Sequence, residues 1–462
     1  MTVFTAILPA FLTLASCTPP LPERTLPALG APPERPYATG RPPLGHGAPG
    51  GPPWGRDTPD RPSLGHGAPG GPPWGRDTPG RPPLGHPVAD RPPLGHPVAD
   101  RPPRAPSPAG TARALRRLVA DGAPGAAALA TDEGGPARFA AAGVADLRTG
   151  RPMRRADRFR AGSLTKPFVA AVVLQLAAEH RLSLDAGVTR YLPGTAHAIG
   201  PHGAARLARV TTRQLLGHTS GLFDYTRDAH LARALRGPGF AAHRYDTHTP
   251  AALLRVALRH RPVATPGTRY AYSNTNYLLL GLLIERLTGH PYAREIRRRV
   301  LVPLHLTGTS FPGTSSALPA PHGRAYSVLG AHRVDSTALN PSRAGAAGEM
   351  VTTLDDLNRF FTALLSGRLL PRRQTRIGPA ASPVYGEAAP PSYAPGLYPT
   401  DLPCGITVWG HNGEINGSSA RTAATRDGRH VLTLRINTDT LDTPSPGADT
   451  DALTAEFCGR RP

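Results

Sequence analysis

Ser163 and Lys166 stand three residues apart in Ala161-Gly162-Ser163-Leu164-Thr165-Lys166, which runs on into Pro167-Phe168-Val169-Ala170-Ala171-Val172-Val173-Leu174-Gln175-Leu176. A serine hydroxyl is a poor nucleophile until a base takes its proton, and an amine in apolar surroundings can act as that base. Burial disfavours the ammonium form and pulls a lysine down from its usual pKa of about 10.4. Of the 53 Lys and Arg side chains in the 462 residues, Lys166 is the only lysine. Guanidinium stays charged, so arginine cannot stand in for a group that must shed a proton. The pair therefore reads as a nucleophile and its activator.

The elements around the pair follow from pattern. Residues three apart on a helical turn share a face. The apolar run after Lys166 predicts a buried helix, with Pro167 tolerated in its first turn. Residues 111–121 predict an amphipathic helix, and segments 125–131 and 137–144, separated by Asp132-Glu133-Gly134-Gly135, predict a hairpin. Thr211 to Leu222 reads as a capped short helix ending in a glycine loop. Tyr272-Ser273-Asn274 lies in a polar loop before an apolar helix starting near Asn276. A helix over 348–370 takes Thr353 as N-cap, with Asp355 and Asp356 in its first turn. Residues 405–413 form a strand running to a glycine, 430–436 a second strand, and 449–458 a closing helix.

Composition divides the chain. Its 56 prolines and 51 glycines are concentrated before residue 110. Residues 41–60 and 61–80 are near copies, and 81–90 and 91–100 are identical decamers. These repeats carry too few apolar residues to bury a face, so 18–110 reads as a disordered, polyproline-like linker. Fully extended, it reaches roughly 290 Å at about 3.1 Å per residue. Histidines 46, 66, 86 and 96 recur within it, but regular spacing in such a chain builds no metal cage.

Residues 3–16 are a short apolar run typical of a secretory signal. Leu14-Ala15-Ser16-Cys17 resembles a bacterial lipoprotein box, in which Cys17 becomes a lipidated N-terminus. The remaining cysteines, Cys404 and Cys458, read as one disulfide in an oxidising compartment, with two separate buried thiols as the alternative. The net charge of +21 suits anionic cell-wall polymers or lipid headgroups. Its arginines are scattered and no recognition motif accompanies them, which argues against nucleic acid.

Ser163-x-x-Lys166, Tyr272-x-Asn274 and His411-x-Gly413, in that order, resemble the motifs of the penicillin-recognising serine hydrolases. This is the family of class C β-lactamases and serine D-alanyl-D-alanine carboxypeptidases. The resemblance covers about 111–462 and extends to the LLGHTSGL and YSNTN segments and the closing Phe-Cys-Gly. It implies an α/β (α+β) fold: a helix-flanked antiparallel sheet made by both ends of the domain, with a mostly helical region of about 181–345 inserted.

The resemblance also implies roles. Ser163 forms an acyl-enzyme, and Lys166 or Tyr272 takes its proton. Asn274 binds a substrate carbonyl, and His411 holds the tyrosine's proton network or the substrate tail. Gly413 lets strand backbone approach the ligand, and the N–H groups of Ser163 and Glu414 form an oxyanion hole. Asn412 and Glu414 stand where the matching carboxypeptidases carry hydroxyl residues, and Leu397-Tyr398-Pro399-Thr400 lacks their arginines. A glutamate there repels a substrate carboxylate if it points inward.

The implied protein is an exported, monomeric carboxypeptidase without cofactor. It acts on peptidoglycan-type peptides or β-lactams and touches membrane only through a lipid anchor. An esterase or β-lactamase, or a penicillin-binding protein without turnover, are the alternatives.

Overall fold

The computed structural model describes residues 106–198, 200–370, 396–442 and 448–459. The expected signal, the lipidation at Cys17 and nearly all of the repeat linker lie outside them. Helix α1 (Pro108–Ala120) is followed by strands β1 (Gly125–Asp132), β2 (Arg138–Asp146) and β3 (Arg151–Pro152). Helices α2 (Thr165–Ala178), α3 (Thr212–Leu216), α4 (Asn274–Thr288) and α5 (Leu354–Leu365) come next. Strands β4 (Tyr398–Asp401), β5 (Thr407–Ile415), β6 (Ser418–Ala424) and β7 (His430–Ile436) precede a closing helix α6 (Ala448–Cys458).

Both ends of the domain build one seven-stranded antiparallel sheet in the order β3-β2-β1-β7-β6-β5-β4. The seam is the β1–β7 pairing, with Ala126 opposite Ile436 and Asp132 opposite His430. Alternation along β1 sends its side chains to opposite faces. Ala126, Ala128 and Ala130 pack with Leu115 and Leu118 of α1 and Leu453 and Phe457 of α6. Ala127 and Leu129 face the other layer, with Phe168 of α2 and Phe360 of α5. The small alanines let helices sit close on both faces. The fold is the helix-flanked antiparallel sheet that the sequence implied.

Helix α2 is apolar all round and buried along nearly its whole length, as a helix in the middle of a core must be. The Phe168 ring stacks on Phe360 with centroids 3.6 Å apart. Between α2 and α5 lie several short helices, α3 among them, the 15-residue α4, and a hairpin of Tyr326–Leu329 with His332–Asp335. Thr211 and Gln214 close α3 with a reciprocal capping box. Among the described residues no helix is long and apolar enough to cross a membrane.

Several boundaries differ from the sequence reading; the helix expected over 348–370 spans only Leu354–Leu365, because Val351–Thr352 pairs as a strand and Thr353 caps the helix. Helix α1 begins at Pro108, capped by the Ser107 side chain, so helix starts inside the stretch assigned to the linker. Helix α4 begins at Asn274 rather than near Asn276, which makes Asn274 its first residue instead of a loop residue. Strand β5 continues past Gly413 to Ile415 because β6 pairs with it through Ile415.

Cys404 and Cys458 are joined in a disulfide that ties α6 to the segment between β4 and β5. Deeper along α6, Glu456 accepts from His430 Nε2 at 2.8 Å and pairs with Arg138, which also pairs with Asp132. Asp132, His430 and Glu456 have ligand-type atoms within 4.8 Å of one another. The Arg138 guanidinium already supplies the cation there.

Candidate active site

Ser163 lies in a single 3-10 turn, Gly162–Leu164, between a short strand and α2. Phe159–Arg160 pairs with Val351–Thr352, and the Ala161 N–H donates to Met350 O at 2.7 Å, so the turn is anchored before α2 begins. Strand β5 presses against the turn. Gly162 has φ +52°, and a Cβ there would lie 2.6 Å from the main-chain nitrogen of Glu414. A Cβ on Gly413 would lie 1.9 Å from Ala161 O. No side chain fits at either position, which is what brings the β5 backbone to the serine.

Lys166 is fully buried, and its Nζ has three partners: Ser163 Oγ at 2.9 Å, Asn274 Oδ1 at 2.8 Å and Ala347 O at 2.7 Å. Two of these are oxygens that only accept. A neutral amine has two protons and one lone pair. With both protons committed to Asn274 and Ala347, the lone pair faces the hydroxyl of Ser163. Burial pulls the lysine down to about 7, partly opposed by the charge of Asp224, so near neutrality a large fraction is the free amine.

Tyr272 donates to the same Ser163 Oγ at 2.9 Å. Desolvation of its hydroxyl pushes it well above the usual phenol value, so it remains a donor. Asn274 is held by its amide nitrogen, which donates to Asp224 Oδ2 at 2.9 Å, and this aims its oxygen at Lys166. The same Asp224 accepts from the N–H and hydroxyl of Thr226.

His411 is buried, and its Nδ1 donates to Asn412 O. Burial, with the charge of Lys166, brings it down to about 3, so the ring is neutral. Asn412 and Glu414 alternate outward from β5, while His411 and Gly413 face in. Ser163, Asn274 and Glu414 line one cleft of about 540 Å³, part of it open to solvent. Glu414 does not turn away from it. Its carboxylate stands on the rim and pairs with Arg236 at 3.2 Å.

The structure thus brings together Ser163, Lys166, Tyr272, Asn274 and Glu414, with His411 and Gly413 behind them and Asn412 outside the cleft lining. Three residues in this arrangement were not singled out from sequence. Asp224 orients Asn274. His218 stacks on Tyr272 with centroids 4.2 Å apart and accepts from Ser273 N–H at 3.1 Å. Arg236 faces Glu414. Only His218 carried a signal, through its place in the LLGHTSGL segment.

A buried amine and a phenol converging on one partly exposed serine, beside a strand backbone held against it, mark a serine hydrolase site. The sequence profile of the Beta-lactamase family matches residues 111–456. The chain belongs to that family.

Among its relatives is a D-stereospecific amidohydrolase from Streptomyces sp., whose solved structure has 43% sequence identity and a TM-score of 0.69. The likeness covers 77% of this chain and 100% of that one. Esterase EstB of Burkholderia gladioli is 36% identical over 205 residues, 42% of this chain and 48% of the esterase. Penicillin-binding protein 4 of Amycolatopsis lactamdurans is 32% identical over 266 residues, 55% of this chain and 63% of that protein. The chain thus spans about half to two thirds of the length of these last two.

Proposed function

We propose that this protein cleaves an amide bond next to a D-amino acid residue through an acyl-enzyme on Ser163. The observation that carries this reading is the Lys166 Nζ, whose acceptor-only partners leave its lone pair for the Ser163 hydroxyl. Lys166 is the base and Tyr272 the hydrogen-bond donor to the serine oxygen. Ser163 Oγ attacks the carbonyl as its proton passes to Lys166. The N–H groups of Ser163 and Glu414 receive the oxyanion, each such donor contributing about 2.7–4 kcal/mol. Lys166 returns the proton to the departing nitrogen, whose bond to the carbonyl breaks. Water then attacks the ester, giving a proton to Lys166, which passes it to Ser163 Oγ as the bond between Oγ and the carbonyl breaks and the acid leaves. Neutral His411 and Asn274 hold the surrounding hydrogen bonds.

Support for the D-residue comes from the Streptomyces amidohydrolase, matched over its whole length. A cell-wall D-alanyl-D-alanine carboxypeptidase is the second reading, favoured by the motif order and the penicillin-binding relative. Export with lipidation at Cys17 belongs to either, and mass spectrometry of the secreted protein tests it. The deciding experiment treats one sample with a fluorophosphonate probe and separate, unlabelled samples with D- and L-phenylalanine amide, a p-nitrophenyl ester and diacetyl-Lys-D-Ala-D-Ala. Labelling at Ser163 with turnover of the D-amide is the expected result. Equal labelling of a Ser163→Ala protein removes the mechanism, and turnover of the tripeptide alone selects the carboxypeptidase.

A further inference from the structure

Two charged side chains meet across the cleft beside Ser163. Glu414 rises from β5, and Arg236 caps the helix Ala229–Leu235 on the helical side. Their side chains are 49% and 56% exposed, so both reach solvent. Their attachments differ. The main chain of Glu414 is wedged against Gly162, which fixes its Cα relative to the nucleophile. Arg236 ends a seven-residue helix and carries its charge on a long flexible stem. An exposed pair of this kind is screened by water and weak, so a substrate cation can replace the guanidinium at little cost.

Nothing comparable moves the carboxylate. Asp439 adds negative field around it. The nearby Arg343 is buried and directs its guanidinium to Leu235 O and Asn416 Oδ1. A substrate whose carbonyl oxygen sits on the Glu414 N–H brings the groups next to that carbonyl within reach of the same residue's side chain.

We infer that Glu414 is a specificity-determining residue that accepts a free ammonium beside the scissile carbonyl and rejects a free carboxylate, with Arg236 as its displaceable counter-ion. The substrates this selects are amino-acid amides and esters with an unblocked amino group, and short peptides cut at their first bond. Peptide ends that carry a carboxylate just beyond the leaving nitrogen are disfavoured. The inference rests on the acyl-enzyme reading of Ser163 and goes beyond it in naming the substrate's charge.

The test compares kcat/KM for D-phenylalanine amide and N-acetyl-D-phenylalanine amide at pH 7, where an α-amino group of pKa about 7.7–8.0 is protonated. The wild type favours the unblocked amide. In Glu414→Gln, which keeps the main chain and the side-chain shape, that ratio falls about tenfold, the scale of one lost charge-assisted contact. In Arg236→Ala the ratio holds or rises, because the competing cation is gone. A second pair, N-acetyl-D-Ala-D-Ala and its C-terminal amide, separates in the same sense, and Glu414→Gln narrows the gap. An unchanged ratio in Glu414→Gln, or a wild type that prefers the blocked amide, overturns the assignment. Failure of the fluorophosphonate to label wild-type Ser163 overturns the acyl-enzyme reading instead, so the two failures are distinct.

Discussion

On the proposed mechanism, Lys166 decides the chemistry at the scale of single residues. Its pKa lies at about 7 because burial removes water from the ammonium. The neutral, proton-accepting form therefore grows as pH rises through that value. Acylation by a fluorophosphonate should rise with pH and level off above about 7, as stopped-flow or gel-based labelling would record. A flat profile from pH 5 to 9 would contradict the assignment. Lys166→Arg keeps the charge but cannot release a proton, so acylation should fall by about 10²–10⁴-fold, the usual worth of a general base. Circular dichroism should show an unchanged fold. Much of this site was legible from residue types, since a solitary lysine three places after a serine is conspicuous. Asp224 and Arg236 were not, because each acts on a partner remote in sequence, Asn274 or Glu414, and no local pattern encodes that meeting.

Elements hold these residues by excluding side chains as much as by packing them. Gly413→Ala puts a Cβ into Ala161 O, so β5 must retreat from the serine turn. The expected outcome is a loss of acylation of at least about tenfold, larger than its effect on thermal unfolding, since on the proposed mechanism an oxyanion donor moves with the strand. Phe168→Ala removes the ring stacked on Phe360 and should cost about 3–5 kcal/mol in denaturant unfolding. Helices α1 to α6 and strands β1, β2, β5 and β7 were readable from periodicity and caps, Thr353 included, whereas β3, β4 and β6 were not read. Nor was the start of α4, because Ser273 opens the helix without capping it through its side chain. The length of β5 past its glycine was equally hidden, since pairing with β6 decides it.

Over the whole molecule, two devices fasten α6 to the sheet. The Cys404–Cys458 disulfide closes a loop with a sequence separation of 54, and replacing both cysteines by serine should cost about 2–4 kcal/mol of stability. Desolvation raises the pKa of Glu456, but the hydrogen bonds and charges of His430 and Arg138 outweigh it and hold the pKa below the usual value. Its stabilising contribution is therefore present above the unfolded value of about 4.3 and fades as pH falls through the lower folded value, which a pH series of melting temperatures would show. The pairing of β1 with β7 carries a further consequence. Ser163 precedes α2, while the backbone proposed to receive the oxyanion arrives only with β5, after the helical region between them. A nascent or prematurely stopped chain thus holds a serine without its electrophile cradle. On the proposed mechanism, Ser163 becomes reactive only once β5 has emerged and packed against the serine turn.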